Sequence, residues 1–279
     1  MDLTGRDVVV TGGAGFVGSH LAERLSPDND VTVVDDCSNG RREWVPDDAD
    51  FVAGDCTDPA VVAEAISADV DAVFHFAAAK LVDTDQPRRQ FEDNVAMTYN
   101  VLERMCDVGV RNLAYTSSST VYGEAPRPTP EDYAPLEPIS AYGAAKLAEG
   151  AVVPDFIEKL RADPDTLEIL GDGRQEKSYM HIEECLDAML AVVAGADGAF
   201  NVYNLGTRTT TSVDRIADIV AEEMGLDLDR VYTGGDRGWT GDVPRMRLSV
   251  EKLAGLGWEP SQSSDEAVRQ ATRELLAEL

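Results

Sequence analysis

Short apolar runs alternate with helix-length amphipathic stretches through the first half of this chain. Runs at 6–11, 31–35, 50–53, 71–76 and 111–117 have strand length and are rich in β-branched residues. Between them lie helical patterns, one at Phe16–Leu25 and the longest from about Pro87 to Val108. That alternation predicts an α/β fold, a doubly wound parallel sheet with helices on both faces. Ligands of such sheets sit at the carboxyl ends of the strands. Gly12, Asp35, Asp55, Ala77 and Ser118 each lie just after a strand. Beyond residue 124 prolines crowd in, at Pro126, Pro128, Pro130, Pro135 and Pro138, and predict a loop over the active site. The remainder reads as a smaller C-terminal α/β lobe. Helices fit 182–194, 212–224 and 264–278, with strands near 167–170, 199–205 and 230–233. The domain expectation is 1–150 for the sheet, with 175–195 returning to it, and 151–279 mostly for the lobe. No internal repeat or low-complexity tract is visible.

The loop after the first strand reads Thr11-Gly12-Gly13-Ala14-Gly15-Phe16-Val17-Gly18. Glycines there allow a sharp turn, a close approach to a pyrophosphate and tight helix–sheet packing. The helix that follows offers unpaired N–H groups and a positive dipole end to phosphate. Strand, glycine turn and helix together identify a Rossmann dinucleotide site. Asp35 ends the second strand, 20 residues after Gly15. A carboxylate there accepts both adenosine ribose hydroxyls and repels a 2′-phosphate. The expectation is NAD rather than NADP, held by Gly12, Gly15, Phe16, Val17, Gly18 and Asp35, with Asp36 and Asn39 beside them. Arg41 and Arg42, slightly downstream, are the residues that argue the other way.

Tyr142 and Lys146 are spaced i, i+4, which puts both on one helix face. A phenol titrates near 10 and is a poor base at neutral pH. A neighbouring ammonium favours the phenolate, and making the phenol ten times more acidic takes about 1.4 kcal/mol of such interaction. Ser118 lies in the hydroxyl-rich run Tyr115-Thr116-Ser117-Ser118-Ser119-Thr120 that leaves the fifth strand. Its hydroxyl can bond a reacting sugar hydroxyl and pass the proton to Tyr142.

Charge changes the picture. The 279 residues carry 52 acidic against 24 basic side chains, a net charge of −28, and five of the basic residues are lysine. The acid is spread along the chain. Dispersed repulsion opposes folding, a lever that halophiles use, so a salt-rich cytoplasm is the expected setting. The charge also excludes nucleic acid as a partner. Cys37, Cys56, Cys106 and Cys185 form no Cys-x-x-Cys pair, and the three histidines have no metal-ligand spacing, so no metal is expected. No apolar run is long enough to span a membrane, and the first residues do not read as a signal peptide.

Several motifs together resemble the extended short-chain dehydrogenase/reductase family, the NAD-dependent epimerases and dehydratases, and its UDP-galactose 4-epimerase branch most. They are the glycine turn, Gly54-Asp55, His75-Phe76-Ala77-Ala78-Ala79-Lys80, Asn94-Val95, Ser117-Ser118-Ser119-Thr120-Val121-Tyr122-Gly123, Tyr142…Lys146, Gly171-Asp172-Gly173 and Gly257-Trp258-Glu259-Pro260. The resemblance runs almost end to end. It implies that Asp55 and Cys56 bracket the adenine. It further implies that Phe76, Ala77, Ala78 and Lys80 line the cofactor and that Asn94 anchors the loop beneath it. Ser118, Tyr142 and Lys146 would be the catalytic set, with Thr120, Arg237 and Asp242 on the substrate side. A homodimer through the 87–108 helix and the Tyr142 helix is also implied, with Val95, Met97, Val101, Leu102 and Met105 as apolar candidates, some of which core packing explains equally well.

Departures from the family pattern are informative. Its 4,6-dehydratases carry an Asp-Glu pair after the catalytic hydroxyl, where this chain has Ser119 and Thr120. The usual Arg-Asp before Tyr-x-His is Lys177-Ser178, and the usual Arg-x-Gly-Asp is Trp239-Thr240-Gly241-Asp242. Arg237, Arg245 or Arg247 would then face the substrate phosphates. After Glu149 roughly 30–40 residues seen in the family have no counterpart, about one strand–helix unit. Either that unit is deleted or residues are missing from the sequence at Glu149–Gly150; the second is the expectation, and it predicts a Cα gap near 147–152.

The resulting expectation is an NAD-dependent nucleotide-sugar 4-epimerase that oxidises and re-reduces sugar C4. The alternatives are a nucleotide-sugar dehydrogenase, ketoreductase or 4,6-dehydratase of the same family, or a protein that binds NAD without turnover. Salt generates one prediction. Molar ionic strength screens charges beyond about 3 Å, so the melting temperature should rise steadily from low to molar KCl. A flat or falling trend in a thermal scan would count against the charge argument.

Overall fold

A computed structural model describes residues 1–79, 86–135, 166–169, 172–198, 201–227, 229–235, 237 and 243–278. The described residues fall into two compact units, one up to Ser118 and one from Ser119 on.

The first unit is a five-stranded parallel sheet: β1 (Asp7–Thr11), β2 (Asp30–Asp35), β3 (Asp50–Ala53), β4 (Ala72–His75) and β5 (Leu113–Tyr115), in the order β3-β2-β1-β4-β5. This is the parallel, doubly wound α/β sheet that the alternation predicts. Val8, Val9 and Val10 are fully buried. Strands covered on both faces read as continuous apolar runs for this reason. Val8 pairs with Val31 on one side and Ala72 on the other, which fixes the central register. The strand order reverses between β1 and β4, and that is where open α/β sheets form their ligand crevice.

Among the described residues, three helices cover this sheet. α1 (Phe16–Leu25) buries Leu21, Ala22 and Leu25. α2 (Pro59–Ala65) starts on Asp58, whose carboxylate accepts from Ala60 N at 2.8 Å, with proline at the first helical position. α3 (Pro87–Val108) ends on Gly109 at φ 85°, the left-handed cap that glycine adopts without strain. Its buried face is Gln90, Asn94, Met97, Val101 and Met105. Met97, Val101 and Met105 pack with Val9, Val34, Ile66 and Val73 in one core. These three are therefore core residues, the role that core packing equally offered for some of the five candidates. Of the five candidates only Val95 and Leu102 are exposed, at 52 % and 44 %. The exposed stripe is offset from the buried one by a single residue, about 100° around the helix, and both carry apolar residues, so periodicity alone could not assign them.

The second unit holds a three-stranded sheet of β10 (Arg245–Met246), β7 (Glu176–Lys177) and β8 (Thr211–Ser212), and a parallel pair of β6 (Thr166–Ile169) with β9 (Asp229–Tyr232). Helices α4 (Ile182–Gly195), α5 (Val213–Met224), α6 (Glu251–Ala254) and α7 (Ser264–Glu278) complete it. Leu167, Ile169, Ile216, Ile219, Val220 and Val268 form its core. Ion pairs tie α5 to α7: Arg215 to Asp265, Arg269 to Glu222 and Glu223, and Arg273 to Glu223.

Two local outcomes differ from the pattern. The strand expected near 199–205 is absent among the described residues there. Asn204 N donates to Glu131 Oε1 at 2.9 Å, so a carboxylate takes the bond that a neighbouring strand would have taken. The division between units also falls at Ser118–Ser119, ahead of residue 150, and α4 lies in the second unit. The segment after Ser119 is tied to the second unit by its own bonds. Tyr122 OH donates to Asn204 Oδ1 at 3.0 Å, Thr129 N to Arg247 O at 3.0 Å, and Ser249 N to Thr129 O at 2.8 Å.

The core assignment of α3 is testable. Met97→Ala should cost about 2–5 kcal/mol, the range for emptying a buried methionine site. Asp107→Ala on the exposed side should stay within about 0.5 kcal/mol. Urea denaturation of both variants at one salt concentration measures the difference.

Candidate functional site

The site begins at the end of β1. Gly12 has φ 70°, and a Cβ there would lie 2.6 Å from Ala77 N. Only glycine lets the turn close on the loop that leaves β4. Gly12 N donates to Val34 O at 2.8 Å, and Gly15 N to Gly12 O at 3.1 Å. Gly18 is buried in α1, and any side chain on it would overlap Gly12 O. Gly15 is the N-cap of α1 and no side chain caps that turn, so the first N–H groups of the helix could take an anion. Phe16, at 45 % exposure, and Val17 flank this opening.

Asp35 closes β2, and its carboxylate is held from two sides. Oδ2 accepts from Ala14 N at 3.0 Å and Oδ1 from Cys37 N at 2.8 Å. Each oxygen keeps lone-pair capacity for further donors. Asp36 Oδ1 accepts from Ser38 N and Ser38 Oγ, while Asn39 is exposed beside them. Arg41 stacks on Trp44 and Arg42 on Phe51, with guanidinium carbons 5.0 and 4.6 Å from the ring centres. Both arginines that argued for a 2′-phosphate thus have an aromatic partner.

The loops after β3 and β4 complete the crevice. Asp55 Oδ1 accepts from Thr57 N, and Asn100 Nδ2 donates to the carbonyls of Cys56 and Thr57 at 3.0 and 2.9 Å. Burial, and then the carboxylates of Asp55, Asp35 and Asp36, push the Cys56 thiol up to about 12. It stays protonated at neutral pH and is no nucleophile. Phe76, Ala77 and Ala78 follow β4 at intermediate exposure. Asn94 Oδ1 accepts from Ala79 N at 3.1 Å, and its Nδ2 donates to Ala79 O and Gln90 O at 3.0 and 2.7 Å. One buried amide therefore pins both ends of Ala79. Ser118 is buried at the end of the first unit, after β5.

Sequence reasoning missed two braces. Thr11 Oγ1 and His75 Nδ1 share a 2.6 Å hydrogen bond, and His75 Nε2 lies 3.2 Å from Thr98 Oγ1. This buried chain joins the ends of β1 and β4 to α3 beneath the crevice. Asn100 is the other. The signals that could have found them were a threonine just before the glycines and polar residues on the inner face of α3.

In the second unit, the turn Ser119–Tyr122 is a short 3₁₀ helix and carries Thr120 at intermediate exposure. Arg237 pairs with Glu124. Burial, and then the Glu131 carboxylate, hold the Tyr122 phenol above its ordinary value. Lys80, Tyr142, Lys146, Asp242 and the Glu149–Gly150 junction lie outside the described residues. Among the described residues no group of His, Cys, Asp and Glu is placed to hold a metal ion, and no helix is long and apolar enough to cross a membrane.

The cradle predicts a cofactor preference. NAD should bind much more tightly than NADP, and Asp35→Ala should narrow the gap by removing the charge that faces a 2′-phosphate. Calorimetric titration with both nucleotides decides it; comparable affinities in the unmodified protein would contradict the geometry.

Comparison with known proteins supports the same chemistry. Residues 8–150 match the model of the NAD dependent epimerase/dehydratase family. The UDP-glucose 4-epimerase of Corynebacterium glutamicum is 29 % identical over 306 aligned positions, covering 92 % of this chain and 91 % of the relative. Those 306 positions take in only 92 % of a 279-residue chain, so several dozen positions of the relative stand opposite gaps. A solved UDP-galactose 4-epimerase superposes with a TM-score of 0.87 at 38 % identity, covering 98 % of this chain and 99 % of that one. The UDP-glucose 4-epimerase of Thermotoga maritima, solved with UDP-glucose, gives 0.86 at 29 % identity, with coverage of 98 % and 99 %. With its glycine turn, its acidic strand end and a family match over half its length, the chain belongs to the NAD-dependent epimerase/dehydratase family.

Proposed function

We propose that this protein is a nucleotide-sugar 4-epimerase of the UDP-glucose/UDP-galactose type. The observation that carries the reading is the cradle between β1 and β4, with Gly12 closed on Ala77 and Asp35 aimed by two backbone N–H groups. Those residues fit NAD: space where a Cβ would stand, a helix start for the pyrophosphate and a carboxylate for the ribose. NAD held there by Gly12, Gly15 and Asp35 would supply a reversible hydride acceptor for sugar C4.

The protein's own residues handle the proton. Ser118 bonds the sugar 4-hydroxyl and relays its proton to Tyr142, which Lys146 keeps as phenolate. No carboxylate occupies Ser119–Tyr122, so nothing in that turn removes water from the sugar. This favours epimerisation over 4,6-dehydration. The cofactor ends as it began, which distinguishes the reaction from that of a ketoreductase. Lys80 lines the cofactor, and Asn94 anchors the loop beneath it. The second unit serves as the sugar-nucleotide lobe, with Thr120 and Asp242 toward the substrate. Arg237, which pairs with Glu124, or Arg245 or Arg247 supplies the charge for the phosphates.

A homodimer is the proposed assembly. Phe91, Val95, Tyr99 and Leu102 lie at i, i+4, i+8 and i+11 on α3 and are all exposed. Such a contiguous apolar stripe marks an interaction face. The cytoplasm of a salt-rich cell is the proposed setting, on the strength of the −28 charge.

Three measurements test these readings. Incubation with UDP- and dTDP-sugars, followed by product NMR, should reveal a C4 epimer. Tyr142→Phe should keep NAD bound and lower turnover by at least about 10²-fold, the lower range for losing an acid–base group; near-full activity would make the tyrosine structural. Light scattering at molar salt should report a dimer that Val95→Glu with Leu102→Glu splits, and a monomeric unmodified protein would refute the assembly.

A further inference from the structure

We propose that Gly40 is a positioning residue that selects NAD over NADP, because it lets the 36–41 loop clasp the glycine turn at Ala14. The inference rests on the reading of Asp35 as the ribose ligand.

Ala14 is fully buried, and its peptide units are gripped from two directions. Its N–H donates to Asp35 Oδ2 at 3.0 Å, and its carbonyl accepts from Arg41 N at 2.9 Å. Gly40 makes the second grip possible. A Cβ on Gly40 would stand 2.5 Å from Ala14 O, 2.6 Å from Ala14 C and 2.9 Å from Gly15 N. All three are backbone atoms of the turn itself, so no flexible side chain can yield. Any residue but glycine must lift the loop off the turn.

Lifting the loop would change two things that bear on the cofactor. Cys37, at the start of the loop, donates its N–H to the other oxygen of Asp35. The carboxylate is therefore aimed by one bond from the turn and one from the loop, and opening the loop loosens that aim. The same loop places Arg41 over Trp44 and leads into Arg42 over Phe51. A closed clasp holds both cations on their rings. An open one releases them into the region where a 2′-phosphate would lie. A single small residue thus keeps the acid in place and the cations out of it.

The experiment titrates NAD and NADP against the unmodified protein, Gly40→Ala and Asp35→Ala, with melting curves to confirm folding. Gly40→Ala should lose NAD affinity while NADP affinity holds or rises, so that the ratio narrows at least tenfold. A glycine inserted between Asn39 and Gly40 loosens the same loop without a clash and should narrow the ratio too. It replaces Gly40→Ala as the test if that variant does not fold. If Asp35→Ala leaves the ratio unchanged, the ribose reading itself fails. If Asp35→Ala narrows it but the folded loop variants lose both nucleotides equally, or neither, the clasp is overturned.

Discussion

The approach of the glycine turn to the loop beyond β4 is the contact on which the site depends. Gly12 comes so near Ala77 that a methyl group could not be placed between them. That contact brings the ends of β1 and β4 together where the strand order reverses. Everything else in the cradle is referenced to it. Thr11 reaches His75 beneath the contact, Gly12 donates its N–H to the end of β2, and α1 starts from the far side of the turn. The backbone is the ligand surface here, which is why small residues and not reactive ones dominate it.

Around that contact, hydrogen bonds from the backbone fix the few side chains that carry charge or polarity. Asp35 is aimed by Ala14 and Cys37, and Asn94 spans both polar groups of Ala79. Such bonds cost little to maintain because both partners are already ordered by the sheet. The acidic neighbourhood has a further effect. Cys56 is driven to remain a neutral thiol by burial and by three carboxylates. Local charge thus agrees with the net charge of the chain. In the second unit, arginines on α5 and α7 gather several of the surplus acids into a network, an arrangement worth more than isolated surface pairs.

What the sequence determined by itself was set by local physics. A β-branched run must be a strand, and glycines at fixed spacing after it must be a turn. The parallel sheet, the extent of α1 and α3, and Asp35 at a strand end were legible for that reason. The tertiary structure alone decided matters that depend on contacts distant in the chain. Met97, Val101 and Met105 face the core whereas Val95 and Leu102 face outward, a choice made by the sheet that α3 lies on and not by the apolar pattern. Asn204 forgoes a strand because Glu131, 73 residues away, supplies the acceptor. Arg41 and Arg42 face aromatic rings whose positions no local pattern reveals. Gly40 looks like an ordinary loop residue until Ala14, brought next to it by the β1–β2 pairing, leaves no room for a side chain.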